Sequence, residues 1–313
     1  MRFGKLNPKA FLHKLPIGNC VVCPGIGEDD AYVKVEGEYL VIHSDPITET
    51  GKDAGYLSVV VACNDVNMKG VECKSIITTL LLHDEESLSP VIDGISEACN
   101  ILKCKVVGGH TEITKGLDRD IVVTTAFSFS NQVLRLSDAR ENDYIVLFGN
   151  PGIEGTWILA NEYEDELSRL GVSRNLIERA KRFKYLIPVQ DKVMKVKDYA
   201  ISMHDATEGG IYQALLEVAQ ATNLRVVVEK EKIPLLEETV EITKALNINP
   251  LTLISSGAFI VIARDYEKLT RLGGVLIGKL KKDTPALEVN GEIYTEDFEE
   301  ELVRFEGYNN GGR

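Results

Sequence analysis

The feature that most restricts this chain is an ordered alternation of strand-type and helix-type patterns in its first half. Residues 31–36 and 38–43 alternate or run apolar around Gly37, as two strands joined by a tight turn do. From 52 to 68 the apolar residues Ala54, Leu57, Val61 and Met68 fall near helical spacing, and Gly70 supplies a stop signal. Residues 75–82 read as a buried strand, 87–102 as an amphipathic helix on Val91, Ile92, Ile95, Ala98 and Leu102, and 121–129 as a further β-rich run. The order β-β-α-β-α-β places both helices on one face of a sheet. The other face needs a cover, either another domain or a second copy of the chain, and a homodimer is the expectation drawn from it.

At 313 residues, 44% of them apolar, the chain exceeds the size at which a single core stops growing, so two domains are expected. The polar stretch 137–143 precedes a new strand at 144–148, and the boundary is placed at Asp138, giving domains 1–137 and 138–313. The second half mixes helical patterns at 154–170, 189–196, 210–221 and 237–246 with strand patterns at 225–229, 253–263 and 274–278, an α/β character. Residues 307–313 hold one aromatic and no aliphatic side chain and are expected to be flexible.

A formal charge of -13 opposes binding to nucleic acid or anionic lipid, and the lysines are scattered. No apolar run approaches the length of a membrane span and the first residues lack a signal-peptide core, so a cytoplasmic protein is expected. Six cysteines, Cys20, Cys23, Cys63, Cys73, Cys99 and Cys104, are expected as reduced thiols, with Cys20-x-x-Cys23 an inert half-motif. An acidic protein can still bind a polyphosphate when divalent cations bridge the two sets of negative charge. Carboxylates beside glycine turns are therefore the places to look.

Such places recur, each with an ordinary structural alternative. Pro24-Gly25-Ile26-Gly27-Glu28-Asp29-Asp30 sets three acids between a glycine turn and a strand, although turns collect Gly and Asp for geometric reasons alone. Asp45 is expected where the chain leaves the sheet after strand 39–42, as a ligand contact or a turn residue before Pro46. Asn64-Asp65 puts polar groups where helix burial is expected, and a cation shared with Asp29 and Asp45 would satisfy all three acids. Gly108-Gly109-His110-Thr111 follows a short strand, 105–107; adjacent glycines admit a nucleotide, while His110 alone is an ordinary structural imidazole. Gly152-Ile153-Glu154-Gly155-Thr156 and His204-Asp205-Ala206-Thr207-Glu208-Gly209-Gly210 open helices, whose N-termini suit anions, although Thr207 can simply cap and the glycines pack. Walker-loop, His-Glu-x-x-His and G-x-S-x-G patterns are missing from the sequence.

Taken in order, these segments, with Ser44-Asp45-Pro46 and Met68-Lys69-Gly70, resemble the motif series of the superfamily of aminoimidazole ribonucleotide synthetase, HypE, selenophosphate synthetase and thiamine-monophosphate kinase, over residues 4–263. The resemblance implies a PurM-like two-domain fold in which the β-β-α-β-α-β sheets of two copies join in a β-barrel and an α/β C-terminal domain closes over ATP. It also implies Asp29, Asp45 and Asp65 as magnesium ligands assisted by Asp30 or Asn64. Gly27, Gly108, Gly109 and Thr111 would contact the nucleotide, Gly155, Thr207 and Gly209 would receive phosphate, and Asp205 and His110 would serve catalysis. His110 stands where the kinase branch and commonly HypE carry Asp, and Ala206 where HypE-like proteins commonly carry Pro. The implied activity is ATP- and magnesium-dependent phosphoryl transfer to a carbonyl, amide or similar oxygen of a small-molecule or protein-borne acceptor. A thiamine-monophosphate kinase-like enzyme and a nucleotide-binding assembly protein without turnover are the alternatives. No thiol lies in 305–313, so the HypE reaction on a C-terminal cysteine is not expected.

Overall fold

The computed structural model describes residues 21–22, 31–35, 38–48 and 53–310. Gly27, Asp29, Asp30, Cys20 and Cys23 lie outside the described residues. The first half runs β1 (Ala31–Val35), β2 (Glu38–Ile47), α1 (Ala54–Met68), β3 (Ser75–Leu82), α2 (Leu88–Leu102), β4 (Lys105–Ile113) and β5 (Ile121–Ser130). The strands lie in the order β1-β2-β5-β3-β4. All neighbours are antiparallel except β3 and β4, which α2 joins as a parallel crossover. β4 is longer than the expected short strand and continues through the Gly108–Thr111 segment, where a turn was expected.

Helix α1 departs from the one-sided spacing expected of it: every residue from Ala54 to Met68 is buried, including Asn64, Asp65 and Asn67. The run Val59-Val60-Val61-Ala62-Cys63 has no polar face, so the helix is stable only when enclosed. The sheet covers one side, α2 another and the second half of the chain a third. Glycines set the closeness of the α1–α2 contact: a Cβ on Gly55 would lie 2.1 Å from the Val91 carbonyl oxygen, and one on Gly94 would lie 2.7 Å from the Tyr56 nitrogen.

The second half begins with β6 (Tyr144–Phe148), α3 (Ile153–Glu162), α4 (Glu164–Arg169), α5 (Arg174–Ala180), α6 (Gln190–Val196), β7 (Ser202–Asp205), α7 (Gly210–Thr222) and β8 (Arg225–Val228). It continues with α8 (Glu237–Ala245), β9 (Phe259–Ala263), α9 (Glu267–Arg271), β10 (Val275–Lys281), β11 (Ala286–Val289), β12 (Glu292–Tyr294) and α10 (Glu301–Asn310). Its seven strands lie in the order β12-β11-β8-β10-β6-β9-β7. The helical pattern at 154–170 is broken at Tyr163, whose ring meets Phe305 edge-on at 5.0 Å. Within 253–263 only the last five residues form a strand, because Ser255 and Gly257 (φ 103°) turn the chain before it. The expected flexible tail is helical to Asn310, anchored from upstream by buried Leu302 and by Phe305. Among the described residues no helix is long and apolar enough to cross a membrane.

Candidate metal and nucleotide site

Alternation along β2 builds one wall of the site. Asp45 pairs with Thr124 and His43 with Ala126, both buried residues of β5, so His43 and Asp45 share the face on which α1 lies. Asp45 does not follow the strand as expected but lies within its last three residues, because β2 extends to Ile47. From α1, Asp65 meets this wall: His43 Nε2 is 3.4 Å from Asp65 Oδ2, and one ligand atom from each of His43, Asp45 and Asp65 lies within 4.8 Å of the others. His43 was not singled out by sequence. Its signal is the two-residue offset from Asp45, which a strand converts into a shared face. Asn64 is committed elsewhere: its Nδ2 donates to the Ile187 carbonyl (3.0 Å) and its Oδ1 accepts from the Val189 amide (3.1 Å), tying α1 to the second half.

The second half supplies two more carboxyl groups. Asp205 ends β7, which packs against α1, and is buried. Glu154, in the first turn of α3, is also buried, and its Oε2 has no hydrogen-bond partner among the described residues. Burial pushes its carboxyl up to about 7; Ser256 opposes the shift, and the charges of Asp45 and Glu208 reinforce it. Glu154 thus senses the Asp45 wall from the other half of the molecule. In the sequence Glu154 reads only as part of a helix N-terminus, since its position relative to Asp45 is set by the fold.

At the helix N-termini expected to receive phosphate, the glycine amides already have partners within the chain. The Gly155 amide donates to the Ile254 carbonyl (3.1 Å), and a Cβ at Gly155 would lie 2.4 Å from Leu253 Cγ, so this glycine permits packing. Gly209 donates to Glu300 Oε2 at 2.5 Å, and Gly210 to the Thr207 carbonyl at 3.0 Å. Thr207 makes no side-chain cap; α7 is capped by Gly209 in the left-handed region (φ 77°). Glu300 accepts from Ile254 and Leu302 as well, and burial holds its carboxyl at about 7 against those three amides.

The Gly108–Thr111 segment lies apart. β4 is separated from β2 by β5 and β3, about 14 Å at the usual strand spacing. Gly109 packs flat against β3, where a Cβ would lie 2.1 Å from the Thr78 carbonyl oxygen. Thr111 pairs with buried Leu80, whereas His110 pairs with Thr79 and projects from the opposite face, exposed and 3.1 Å from Glu112. Within one chain the fold brings Asp45 and Asp65 together, puts Asp205 on a strand packed against α1, and leaves His110 three strands away from β2.

The His43 imidazole contacts the Asp65 carboxylate, and the ligand atoms of Asp45, Asp65 and His43 lie close enough together to hold one cation. The oxygen donors suit a hard divalent ion such as magnesium, which binds through one or two carboxylates and keeps water on its remaining positions.

Residues 27–128 match the family described as AIR synthase related protein, N-terminal domain, and residues 140–275 its C-terminal domain counterpart. A putative hydrogenase expression/formation protein of Methanocaldococcus jannaschii is 26% identical over 248 residues, covering 76% of this chain and 69% of the relative. A thiamine-monophosphate kinase of Pyrococcus abyssi is 24% identical over 228 residues, 69% of this chain and 70% of the relative. Among solved structures, AaThiL complexed with AMPPCP and TMP superposes with a TM-score of 0.74 at 19% identity, covering 87% of this chain and 90% of that one. The chain belongs to the AIR synthase-related family.

Proposed function

Proceeding from membership of that family, we propose that the protein is an ATP- and magnesium-dependent enzyme that transfers a phosphoryl group to a carbonyl, amide or similar oxygen of an acceptor. The observation that carries this reading is the convergence of Asp45 and Asp65 with His43 on one wall, with Glu154 from the other half near enough to feel the charge of Asp45. Asp45 and Asp65 hold the cation, joined by Asp29; Asp30, Gly27, Gly108, Gly109 and Thr111 are the remaining candidates for nucleotide contact. When bound, magnesium neutralises charge on the phosphates and fixes their geometry. His43 orients the Asp65 carboxylate. Glu154, poised between its two protonation states near neutrality, can hold or release a proton at its unpartnered Oε2. Asp205 bounds the site from the second half.

The helix-free face of the five-stranded sheet carries Leu40, Ile42, Ile77, Phe127 and Phe129, with Ile77 and Phe129 exposed. A second copy of the chain covers this face in the reading we favour, as a cytoplasmic homodimer. The acceptor is a small molecule or a protein-borne group. The kinase relative supports a second reading, phosphorylation of a small phosphate ester such as thiamine monophosphate. A coupled ADP-release assay with that substrate separates the two: turnover on thiamine monophosphate establishes the kinase. Intact ATP with every acceptor, together with magnesium-dependent binding, would instead mark an assembly protein without turnover.

A further inference from the structure

On the side of α1 turned away from Asp65 lies a group of sulfur atoms that the proposed reaction does not use. Cys63, Cys73 and Cys104 are buried, and their Sγ atoms all lie within 4.8 Å of one another. A fourth, Cys99 Sγ, is 3.5 Å from Cys104 Sγ. None of the four is in a disulfide. We propose that Cys63, Cys73, Cys104 and Cys99 form a tetrathiolate site for zinc or a similar thiophilic cation, with three of its thiols buried and Cys99 half-buried.

The fold explains why four residues distant in sequence meet. Cys73 and Cys104 stand just ahead of β3 and β4, which run parallel with Ser75 opposite Lys105, so both lie at the same end of the sheet. Lys103, in the left-handed region (φ 58°), ends α2 and turns the chain back so that Cys104 follows it inward, near Cys99 in the last turn of the same helix. Cys63 comes from α1, held close to α2 by Gly55 and Gly94. Two residues on a helix differ by about 200° in direction, which turns Cys63 away from the Asp65 wall.

The surroundings are built around the sulfurs. One buried side chain, Gln190, accepts from the Cys73 amide (3.0 Å) and from Asn67 Nδ2 (3.2 Å) and donates to the Leu102 carbonyl (2.8 Å), fixing the backbone that carries Cys73 and the segment leading to Cys104. Such outer hydrogen bonds orient ligands before a metal arrives. Tetrahedral zinc with sulfur bonds of about 2.3 Å sets sulfurs about 3.8 Å apart, so the trio closes by about 1 Å or less. Binding is a simple exchange: each thiol releases a proton to solvent as its sulfur bonds the cation, and nothing is oxidised or reduced. Lys74, Lys103 and Lys105, adjoining Cys73 and Cys104 in sequence, supply positive charge against the net negative tetrathiolate.

The test uses the full chain carrying Cys20→Ser and Cys23→Ser, reduced and stripped of metal, titrated with Co2+ as the spectroscopic stand-in for zinc. The expected result is one equivalent bound with a thiolate-to-cobalt charge-transfer band and the intense visible bands of tetrahedral cobalt, both abolished by one equivalent of Zn2+. Cys104→Ser in the same background should weaken binding by about tenfold or more. Cobalt held by the Asp45 and Asp65 carboxylates would show only weak octahedral bands, so failure of the thiol site and failure of the proposed ATP site are distinguishable. Absence of the charge-transfer band, or its persistence unchanged in Cys104→Ser, overturns the proposal. Should Cys104→Ser not fold, alkylation of the parent protein decides: one equivalent of Zn2+ must protect half-buried Cys99 from N-ethylmaleimide, and unchanged labelling overturns the site.

Discussion

Carboxylates in the two halves of the molecule are held in opposite ways. In the first half, Asp45 and Asp65 face each other across His43 within 4.8 Å. In the second, Glu300 sits among three backbone amides, those of Gly209, Ile254 and Leu302. The first arrangement gathers two acids and an imidazole where one cation could join them; the second is a buried carboxyl, raised to about 7, whose oxygens accept from backbone amides and leave no room for a metal role. The difference shows that a glycine amide at a helix start can already have a partner within the chain. The N–H groups of Gly155 and Gly209 are engaged within the chain, so under the proposed function the polyphosphate would be recruited through the Asp45–Asp65 wall.

The largest effect expected from this contrast is on turnover. Asp45→Asn and Asp65→Asn should each lower magnesium-dependent ATP turnover by about 1,000-fold, because a ligand to the cation that stabilises the transferring phosphoryl group is lost. Both variants should stay folded, since each removes one of two mutually repelling charges. Thermal shift with and without magnesium-ATP reads binding and folding together. A full ligand-induced shift in either variant would remove that residue from the cation site.

Next in size is a pH effect on the buried acids. Glu154 and Glu300 both have carboxyls raised from the ordinary 4.5 to about 7. For a raised acid, the favourable contribution is fully present below the unfolded value and is lost as pH rises through the folded one. Stability should therefore fall between about pH 4.5 and 7 on account of these two groups, each by roughly 3 kcal/mol. Glu154→Gln, measured by urea denaturation without magnesium, should gain most of its share at pH 8 and flatten the slope. A slope identical to that of the parent protein would mean that Glu154 is ionised throughout and is not the proton-holding group proposed here.

A third variant inverts the first. Glu300→Ala leaves the amides of Gly209, Ile254 and Leu302 without their acceptor and opens space beneath α10, a loss of about 2 to 3 kcal/mol. Its magnesium-ATP thermal shift should match that of the parent protein. Loss of that response, with stability unchanged, would make Glu300 part of the ligand site and erase the distinction between the two halves.

The legibility of these features follows the range of the interactions that create them. The hairpin, β3, α2 and β5 were readable because apolar periodicity is local, and α1 because its apolar run is long enough for a helix, although its burial on every side was not. Asp45 was misplaced because Pro46 reads as the end of a strand. Yet the described part of β1 pairs only as far as Ile42, so the nitrogen of Pro46 sits where β2 lacks a described β1 partner, a place proline tolerates. Gly108-Gly109 reads as the end of the short strand 105–107, although in β4 Gly109 allows close strand packing against Thr78. β7 escaped notice because four residues, three of them polar, carry no pattern; its burial comes from β9 and α1. The pairing of Glu154 with Asp45 was invisible for the same reason, since nothing local links them.

The smallest effect concerns Gly155, where the choice is between a phosphate contact and a packing position. A methyl group there would lie 2.4 Å from Leu253 Cγ and 2.5 Å from its Cδ1, in a fully buried side chain that must shift to admit it. Overpacking of this kind costs about 1 to 3 kcal/mol, and the lower end is expected because the obstacle is a leucine side chain instead of backbone. The Gly155 amide would still reach the Ile254 carbonyl, and no hydrogen bond to a nucleotide would be lost. Gly155→Ala should therefore unfold about 1 kcal/mol more easily while binding magnesium-ATP within about twofold of the parent protein. Calorimetric titration beside urea denaturation measures both quantities. Affinity falling by tenfold or more with unchanged stability would assign Gly155 to the phosphates, and the α3 N-terminus would then join the cation wall as part of the site.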